Sequence, residues 1–207
     1  LATVQAPGGT GALRVAAEFL SKRMDRNRIW CSKPTWGNHV NIFQAAGLEV
    51  DWYPYLDEAQ QGLDFDALQG TMSEIPAGDI VCLHACCHNP SGVDPSLEQW
   101  QQMAAIAQQQ GLIVLLDFAY QGFANGLRED AACLTPLLES GCDLLICNSF
   151  SKNFGLYSER VGALTMVASS GDAASAALSH AKSTVRANYS NPPKHGAAIV
   201  TTILSDE

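Results

Sequence analysis

Three short apolar runs, each followed at once by polar residues, constrain the fold of this 207-residue chain more than any other feature. They lie at residues 79–86, 112–116 and 143–147, and their length suits buried strands better than buried helices. Segments with helical periodicity, at about residues 96–110 and 134–139, separate them. Because parallel strands need crossovers that cover both faces of a sheet, this alternation predicts an α/β fold with a mostly parallel sheet sandwiched by helices.

The same signals continue along the rest of the chain, and neither an internal repeat nor a linker divides it. Further strands are predicted around residues 29–31, 48–50 and 161–167, and further helices at about residues 12–20, 38–46, 64–72, 173–185 and 194–204. The segment after Pro54 is polar and is predicted to be a loop. We therefore expect residues 1–207 to belong to one domain.

The composition argues against several classes of function. The formal net charge of −9 does not suit a nucleic-acid partner, which needs a basic face, and no apolar run approaches the length of a membrane span. The seven cysteines are an odd number without the paired spacing of a metal site, so neither a disulfide framework nor a bound metal is expected. Free thiols suit a reducing compartment, and we expect a cytoplasmic protein.

Polar side chains suited to chemistry follow the predicted strands directly. Asn89 comes after the first run, Asp117 ends the second with Tyr120 close behind it, and Lys152 follows the third. The carboxyl ends of parallel strands meet at one edge of a sheet, which is where α/β proteins bind their ligands. These four residues are therefore expected to lie together.

The segment around Lys152 narrows the chemistry. Ser149 and Ser151 precede the lysine, and Arg160 follows it eight residues later. Arginine binds phosphate as a fork, whereas a lysine can lose its proton and attack a carbonyl carbon. This combination suggests a phosphorylated aldehyde cofactor held as a Schiff base, which is pyridoxal 5'-phosphate (PLP) chemistry. The turn Pro7-Gly8-Gly9-Thr10-Gly11 offers backbone N–H groups to a phosphate, although many such turns simply begin a helix.

Several motifs, in order along the chain, resemble the aspartate/aromatic aminotransferases, which are fold-type I PLP enzymes of aminotransferase class I. They are Pro7-Gly8-Gly9-Thr10-Gly11, His88-Asn89-Pro90-Ser91-Gly92, Asp117-Phe118-Ala119-Tyr120-Gln121-Gly122, Ser-Phe-Ser-Lys-Asn-Phe-Gly-Leu-Tyr-Ser-Glu-Arg-Val-Gly at 149–162, and Arg186-Ala187-Asn188-Tyr189-Ser190-Asn191-Pro192-Pro193. The resemblance covers essentially the whole chain. It implies the large, PLP-binding domain of such an enzyme, without the N-terminal segment and the C-terminal small domain of the family.

The resemblance implies a role for each residue near the cofactor ring. Lys152 would bind the cofactor covalently and then move the Cα proton of the substrate as a general base and acid. Asp117 would pair with the protonated ring nitrogen, although an aspartate at a strand end can also cap the next helix. Asn89 and Tyr120 would hydrogen-bond the ring hydroxyl oxygen. Without the resemblance, Asn89 is an ordinary turn residue.

The resemblance also implies a phosphate cradle and two supporting histidines. Gly9, Thr10, Ser149 and Arg160 match the family's phosphate ligands. His39 and His84 would support Asp117 without touching the cofactor, and on the residues alone His84 is equally a core histidine. Trp36 would stack on the cofactor ring, although a tryptophan at this position also suits a core.

Three residues are implied to contact the substrate, namely Trp36, Asn89 and Arg186. Arg186 matches an arginine that reaches the site of a neighbouring subunit and binds the distal carboxylate of a dicarboxylic substrate, which implies a homodimer with shared active sites. An arginine in the last turn of a helix also interacts favourably with the helix dipole, and this alternative stays open.

The function that the resemblance implies is PLP-dependent transamination between L-aspartate and 2-oxoglutarate, which gives oxaloacetate and L-glutamate. A broad-specificity aromatic amino acid aminotransferase of the same subfamily is one alternative, and a non-catalytic aminotransferase-like ligand-sensing domain is another. Leu1 is not an initiator, and Ser205-Asp206-Glu207 looks like the N-cap and first turn of a helix. We therefore expect an internal fragment of a longer protein.

Overall fold

A seven-stranded sheet forms the centre of the computed structural model, which describes residues 1–57, 59 and 61–206. In chain order the strands are β1 Ala2–Pro7, β2 Arg28–Lys33, β3 Glu49–Pro54, β4 Leu56–Asp57, β5 Gly62–Leu63, β6 Ile80–His84, β7 Ile113–Phe118, β8 Asp143–Ser149 and β9 Val161–Val167. Strands β4 and β5 form a two-stranded sheet, and the other seven form the large sheet in the order β1-β9-β8-β7-β6-β2-β3. Strands β3, β2, β6, β7 and β8 are mutually parallel, whereas β9 runs antiparallel to both β8 and β1. The predicted mostly parallel sheet is confirmed.

Helices cover both faces of the sheet, as the sequence predicts. They are α1 Gly8–Arg23, α2 Asn38–Ala45, α3 Phe65–Met72, α4 Leu97–Gln110, α5 Leu134–Ser140, α6 Gly171–Asn188 and α7 Lys194–Leu204, with a short 3-10 helix at Glu129–Ala131. One apolar cluster joins α1, α2 and α6 to one face of the sheet, and a second joins α3, α4 and α5 to the other face. The result is the three-layer α/β architecture expected from the alternating pattern.

Strand β7 shows why the central strands read as unbroken apolar runs. Ile113 and Leu115 pack into the cluster with α1, whereas Val114 and Leu116 pack into the cluster with α4. Successive side chains of a strand point to opposite faces, so a strand that is covered on both faces needs apolar residues at every position. The run ends at Asp117, which is also buried.

Every predicted helix and strand occurs, and most boundaries move by only a few residues. Helix α4 has its predicted limits because Ser96 forms a capping box with Gln99, and Gly111 ends the helix in the left-handed conformation at φ 65°. The side chain of Asp64 caps α3 in the same way, by accepting a hydrogen bond from the N–H of Ala67.

The sequence pattern does not predict three features of the fold. Strand β1 is absent from the prediction, and the predicted loop after Pro54 contains β4 and β5, although residues 58 and 60 lie outside the described part. Ser205 is the C-cap of α7, where its N–H donates to the carbonyl oxygens of Thr201 and Thr202, and the helix start that the sequence indicates at this residue stays a prediction. Glu207, which belongs to the same predicted signal, is not described.

Two glycines bring the start of α1 against β9. A Cβ atom on Gly162 would lie 2.5 Å from the carbonyl carbon of Gly8 and 2.7 Å from the carbonyl oxygen of Asn148. Gly8 itself has a φ of +76°, and a Cβ atom there would lie 2.3 Å from a guanidinium nitrogen of Arg160. The absence of side chains at these two positions therefore lets the helix start, β9 and Arg160 meet.

Replacing Gly162 tests this close approach. The Gly162→Ala protein is expected to lose about 1–3 kcal/mol in the free energy of unfolding, because the added methyl group meets backbone atoms that must shift. Gly70→Ala is the matched control: Gly70 lies within α3 with nothing within 4 Å of an added Cβ atom, so this change should stabilise the protein by about 0.5–1 kcal/mol. Urea unfolding of both variants measures the difference, and equal stabilities would contradict the packing described here.

Candidate active site

A pocket of about 140 Å³ opens at the carboxyl edge of the parallel strands. Its lining includes every residue predicted to touch a cofactor, namely Gly9, Thr10, Trp36, Asn89, Asp117, Tyr120, Ser149, Lys152 and Arg160. Leu13, His84, Ala119, Ser151 and Tyr157 complete the wall. The strand register explains the convergence, because β6 ends with His84 opposite Asp117 and β7 places Asp117 opposite Cys147, shortly before Lys152.

A buried carboxylate lies at the base of this pocket. Oδ2 of Asp117 is 3.1 Å from Nε2 of His39, and His39 is fully buried on α2. Burial would raise the pKa of Asp117, but the hydrogen bond and charge of His39, with smaller effects from His84 and Lys152, bring that pKa below its usual value. Asp117 is therefore ionised at neutral pH, and His39 must donate the hydrogen bond.

A chain of hydrogen bonds continues from His39 to His84 through Thr35. Oγ1 of Thr35 lies 2.9 Å from Nδ1 of His39 and 3.1 Å from Nε2 of His84. Burial lowers the pKa of His84 to about 4, so this ring is neutral at pH 7. His39 donates to Asp117 through Nε2, and the Thr35 hydroxyl joins Nδ1 of His39 to Nε2 of His84. Each member of the chain then orients the next.

The opposite side of the pocket carries hydrogen-bond donors and a positive charge. Helix α1 begins there at Gly8, and no described side chain caps its first turn. The Arg160 guanidinium donates to the carbonyl oxygens of Tyr157 and Pro7, at 2.8 and 3.3 Å, and to Oγ of Ser151 at 3.3 Å. A helix start with open N–H groups beside an oriented arginine favours a bound anion.

Lys152 lies between these two sides. Its Nζ is 4.6 Å from the centroid of the Tyr120 ring, a cation–π contact that holds the ammonium group inside the pocket. Burial, with the charge of Asp117 and smaller effects from Tyr157 and Cys87, raises the pKa of Tyr120. The phenol is thus protonated at neutral pH and can donate a hydrogen bond. Trp36 lines another part of the wall, and its ring meets that of His39 edge to face, with the ring centroids 5.3 Å apart.

Comparison with known proteins identifies the family. A family model described as "Aminotransferase class I and II" matches residues 2–207. The chain belongs to the class I and II aminotransferases. It is 55% identical to an aspartate aminotransferase of Salmonella typhi, in an alignment that covers 99% of this chain and 52% of that relative. It is 47% identical to an aromatic-amino-acid aminotransferase of Escherichia coli K12, in an alignment that covers 100% of this chain and 52% of that relative. It thus spans about half the length of these curated relatives.

The solved structures of this family share the fold described above. An aromatic-amino-acid aminotransferase from Burkholderia pseudomallei, covalently bound to pyridoxal phosphate, matches 99% of this chain and 51% of its own, with a TM-score of 0.97 and 43% identity. The three-layer arrangement is therefore that of the fold-type I aminotransferases.

Arg186 lies apart from the pocket of this aminotransferase chain. It occupies the last turn of α6, is exposed, and donates a hydrogen bond to Oγ of Ser190. It is not among the pocket-lining residues, so its contact with a substrate stays a prediction that concerns a second subunit. Its place in the last turn also fits the helix-dipole alternative.

Thr35 and Tyr157 belong to the site but are not predicted from the sequence. Thr35 joins the two histidines, and Tyr157 lines the pocket beside Lys152 and lends its carbonyl oxygen to Arg160. Thr35 lies two residues after β2, at the carboxyl edge where chemistry is expected, but this position alone does not indicate its two histidine partners. Tyr157 lies within the lysine segment and could have been named from that proximity.

Among the described residues, no group of three or more histidine, cysteine, aspartate or glutamate side chains is arranged to hold a metal ion. Within the same part of the chain, none of the helices has the length and apolarity that crossing a membrane requires. All seven cysteines are free thiols.

Neutral His84 predicts a pH dependence of stability. The unfolded chain protonates this histidine below its usual pKa of 6.5. The folded protein does so only near pH 4, because burial, with a smaller effect from His39, outweighs the charge of Asp117, which favours protonation. Between these values the unfolded state binds more protons, so lowering the pH from 7 to 5 is expected to cost roughly 1–2 kcal/mol in the free energy of unfolding through His84. Buried His88, with a folded pKa near 3, should add a loss of similar size. Urea unfolding of the cofactor-free protein at both pH values measures this loss.

Two variants assign the loss to His84. His84→Asn should remove about half of the pH dependence, because buried His88, with a folded pKa near 3, continues to contribute, whereas His180→Asn, which changes an exposed histidine on α6, should leave it unchanged. An equally steep dependence in His84→Asn would mean that other groups carry it.

Proposed function

We propose that this chain is the PLP-binding domain of an aminotransferase that exchanges the amino group of L-aspartate with 2-oxoglutarate. One observation carries the proposal: a single pocket combines Lys152, the buried carboxylate of Asp117, and an anion-binding corner at Arg160 and the start of α1. These are the three chemical partners that an aldehyde, a pyridine nitrogen and a phosphate require. Family membership supports it independently.

The residues present fit PLP. Gly9 allows the helix start to approach Ser149, since a Cβ atom on Gly9 would lie 3.0 Å from that serine's Cβ atom. Gly9, Thr10, Ser149 and Arg160 would therefore hold the phosphate. Asp117 would hold the protonated ring nitrogen, because a buried carboxylate is stabilised by a positive partner. Lys152 would bind the aldehyde carbon.

The chemistry follows from the protonation states of these side chains. Bound PLP supplies an electron sink that stabilises negative charge at the substrate Cα. Asp117, kept ionised by His39, would maintain the positive charge on the ring nitrogen. Tyr120 and Asn89 would donate hydrogen bonds to the ring hydroxyl oxygen, and the Nζ atom of Lys152 would carry the proton to and from the substrate Cα.

Sequence similarity favours aspartate over aromatic substrates. The relative named aspartate aminotransferase is 55% identical and the one named aromatic-amino-acid aminotransferase is 47% identical, each over nearly the whole chain. The aromatic enzyme remains the second candidate because of that second relative and the structural match with a TM-score of 0.97. A ligand-sensing domain would not need Lys152, Asp117 and Arg160 together in one pocket.

We also propose a homodimer in the cytoplasm. The exposed guanidinium of Arg186 is available to a neighbouring subunit, where it would bind the distal carboxylate of the substrate by a two-pronged contact. The seven free thiols favour a reducing compartment.

Trapping the cofactor on the protein tests the reaction type. Borohydride reduction of the PLP-loaded protein, followed by peptide mapping, is expected to find a pyridoxyl group on Lys152, because reduction makes the covalent link permanent. Lys152→Ala should give no such peptide. Lys182→Ala, which removes an exposed lysine on α6, should label as the unchanged protein does. A folded protein without label at Lys152 would overturn the cofactor assignment.

Replacing Arg186 tests the substrate class in the complete protein. Arg186→Ala is expected to lower kcat/KM for aspartate about 100-fold, the loss of two charge-assisted hydrogen bonds, and to change kcat/KM for phenylalanine little. Arg23→Ala, which removes another exposed arginine, is the control. An equal fall for both substrates would contradict the distal-carboxylate role, and faster turnover of phenylalanine by the unchanged protein would favour the aromatic alternative.

A further inference from the structure

We propose that His88 is a positioning residue that holds Asn89 at the wall of the pocket. His88 is only 1% exposed and does not line the pocket, whereas the residue directly after it does. The proposal rests on the proposed function, in which Asn89 hydrogen-bonds the cofactor and substrate. It adds a residue that acts on the reaction only through its neighbour.

The imidazole ring of His88 is fixed at both nitrogens. Nε2 lies 2.9 Å from Oγ of Ser32, a fully buried serine on β2, and Nδ1 lies 2.7 Å from Oγ of Ser91. His88 and Ser91 are the residues on either side of Asn89 and Pro90. The ring therefore closes the turn around Asn89 and ties the closed turn to a strand of the central sheet.

The backbone of His88 is held equally firmly. Its N–H donates to Oδ1 of Asp94 at 2.8 Å, and its carbonyl oxygen accepts from the N–H of Gly92 at 2.6 Å. Oδ2 of Asp94 accepts from the N–H of Cys87 at 2.6 Å. Every polar group of His88 thus has a partner, and the partners lie before and after Asn89 in the chain.

Ring packing restricts the remaining freedom of His88. Its ring stacks on Tyr55, with centroids 3.8 Å apart and planes at 13°, and the Tyr55 hydroxyl donates to the carbonyl oxygen of Val93 at 2.7 Å. On another side it meets His84, whose ring centroid is 4.3 Å away. The same tyrosine therefore orients the histidine and anchors the end of the turn.

The chemistry of the ring suits two hydroxyl partners. Burial, with the neighbouring rings of His84 and His39, lowers the pKa of His88 to about 3. A neutral imidazole has one N–H donor and one acceptor nitrogen, so it can donate to one serine and accept from the other. An apolar ring of similar size would fill the space but would leave Ser32 without this partner in the core and would open the turn at Ser91.

Three substitutions separate positioning from packing. His88→Phe keeps a ring and removes both hydrogen bonds. His88→Asn has an amide near the position of Nδ1 and can retain the bond to Ser91, whereas His88→Gln reaches the position of Nε2 and can retain the bond to Ser32. Thr184→Val is the control, because it removes a buried hydroxyl that donates a hydrogen bond of 3.2 Å to the carbonyl oxygen of His180 within α6.

Two readouts depend on Asn89 rather than on folding alone. The first is the dissociation constant for PLP without substrate, and the second is the pH midpoint of the absorbance change of the PLP-loaded protein. Loss of a hydrogen bond to the ring hydroxyl oxygen should raise this midpoint. His88→Phe is expected to raise the dissociation constant about tenfold and the midpoint by roughly one pH unit, in the direction of Asn89→Ala. His88→Asn should remain closer to the unchanged protein than His88→Phe.

A double variant decides whether His88 positions Asn89 or only packs in the core. If His88 acts through Asn89, adding His88→Phe to Asn89→Ala produces little further change in either readout. Effects that simply add, or a His88→Phe protein that loses stability like Thr184→Val while both readouts stay unchanged, would overturn the proposal. Borohydride labelling of Lys152 in the unchanged protein accompanies the series. Its absence would overturn the proposed function, whereas labelling together with unaffected His88 variants would overturn the positioning role alone.

Discussion

The ionised carboxylate of Asp117 is the constraint on which the rest of the pocket depends. It lies at the end of β7 with 7% of its surface exposed, and burying a charge costs several kcal/mol. The hydrogen bond from His39, at 3.1 Å, returns about 1.5–3 kcal/mol. One such bond does not offset the cost of burial, so the site favours a further positive group in the pocket above the carboxylate.

The rigidity of the sheet explains how the carboxylate, the lysine and the anion-binding corner keep their relative places. Asp117 and His84 are register partners on adjacent parallel strands, and Ser149 ends the next strand of the sheet. The corner depends on a different contact, in which Gly8 and Gly162 bring α1 against β9 and Arg160. Because both contacts involve buried backbone, the positions of the pocket residues are tied to the packing of the core.

The sequence predicts those parts of the fold and site that depend on local pattern. Ile113–Phe118 is recognisable as a strand because its positions before Asp117 are all apolar. Lys152 is recognisable as a cofactor lysine because of the serines and the arginine near it in the sequence. Strand β1 alternates buried Ala2, Val4 and Ala6, but it pairs with β9, about 160 residues away, and such long-range pairing has no local signal. Thr35 is missed for the same reason, since its partner His84 is 49 residues distant.

The neutral histidines His84 and His88 explain why the charge of Asp117 is not cancelled by these two rings at neutral pH. A protonated His84 would place a positive charge near the carboxylate and compensate it from within the protein. Burial prevents this by keeping the pKa of His84 near 4, and it keeps the pKa of His88 near 3. These rings therefore supply oriented hydrogen bonds through Thr35, Ser32 and Ser91 without supplying charge. The negative charge of Asp117 is left to attract a cation that enters from the open side, which is where Lys152 already lies.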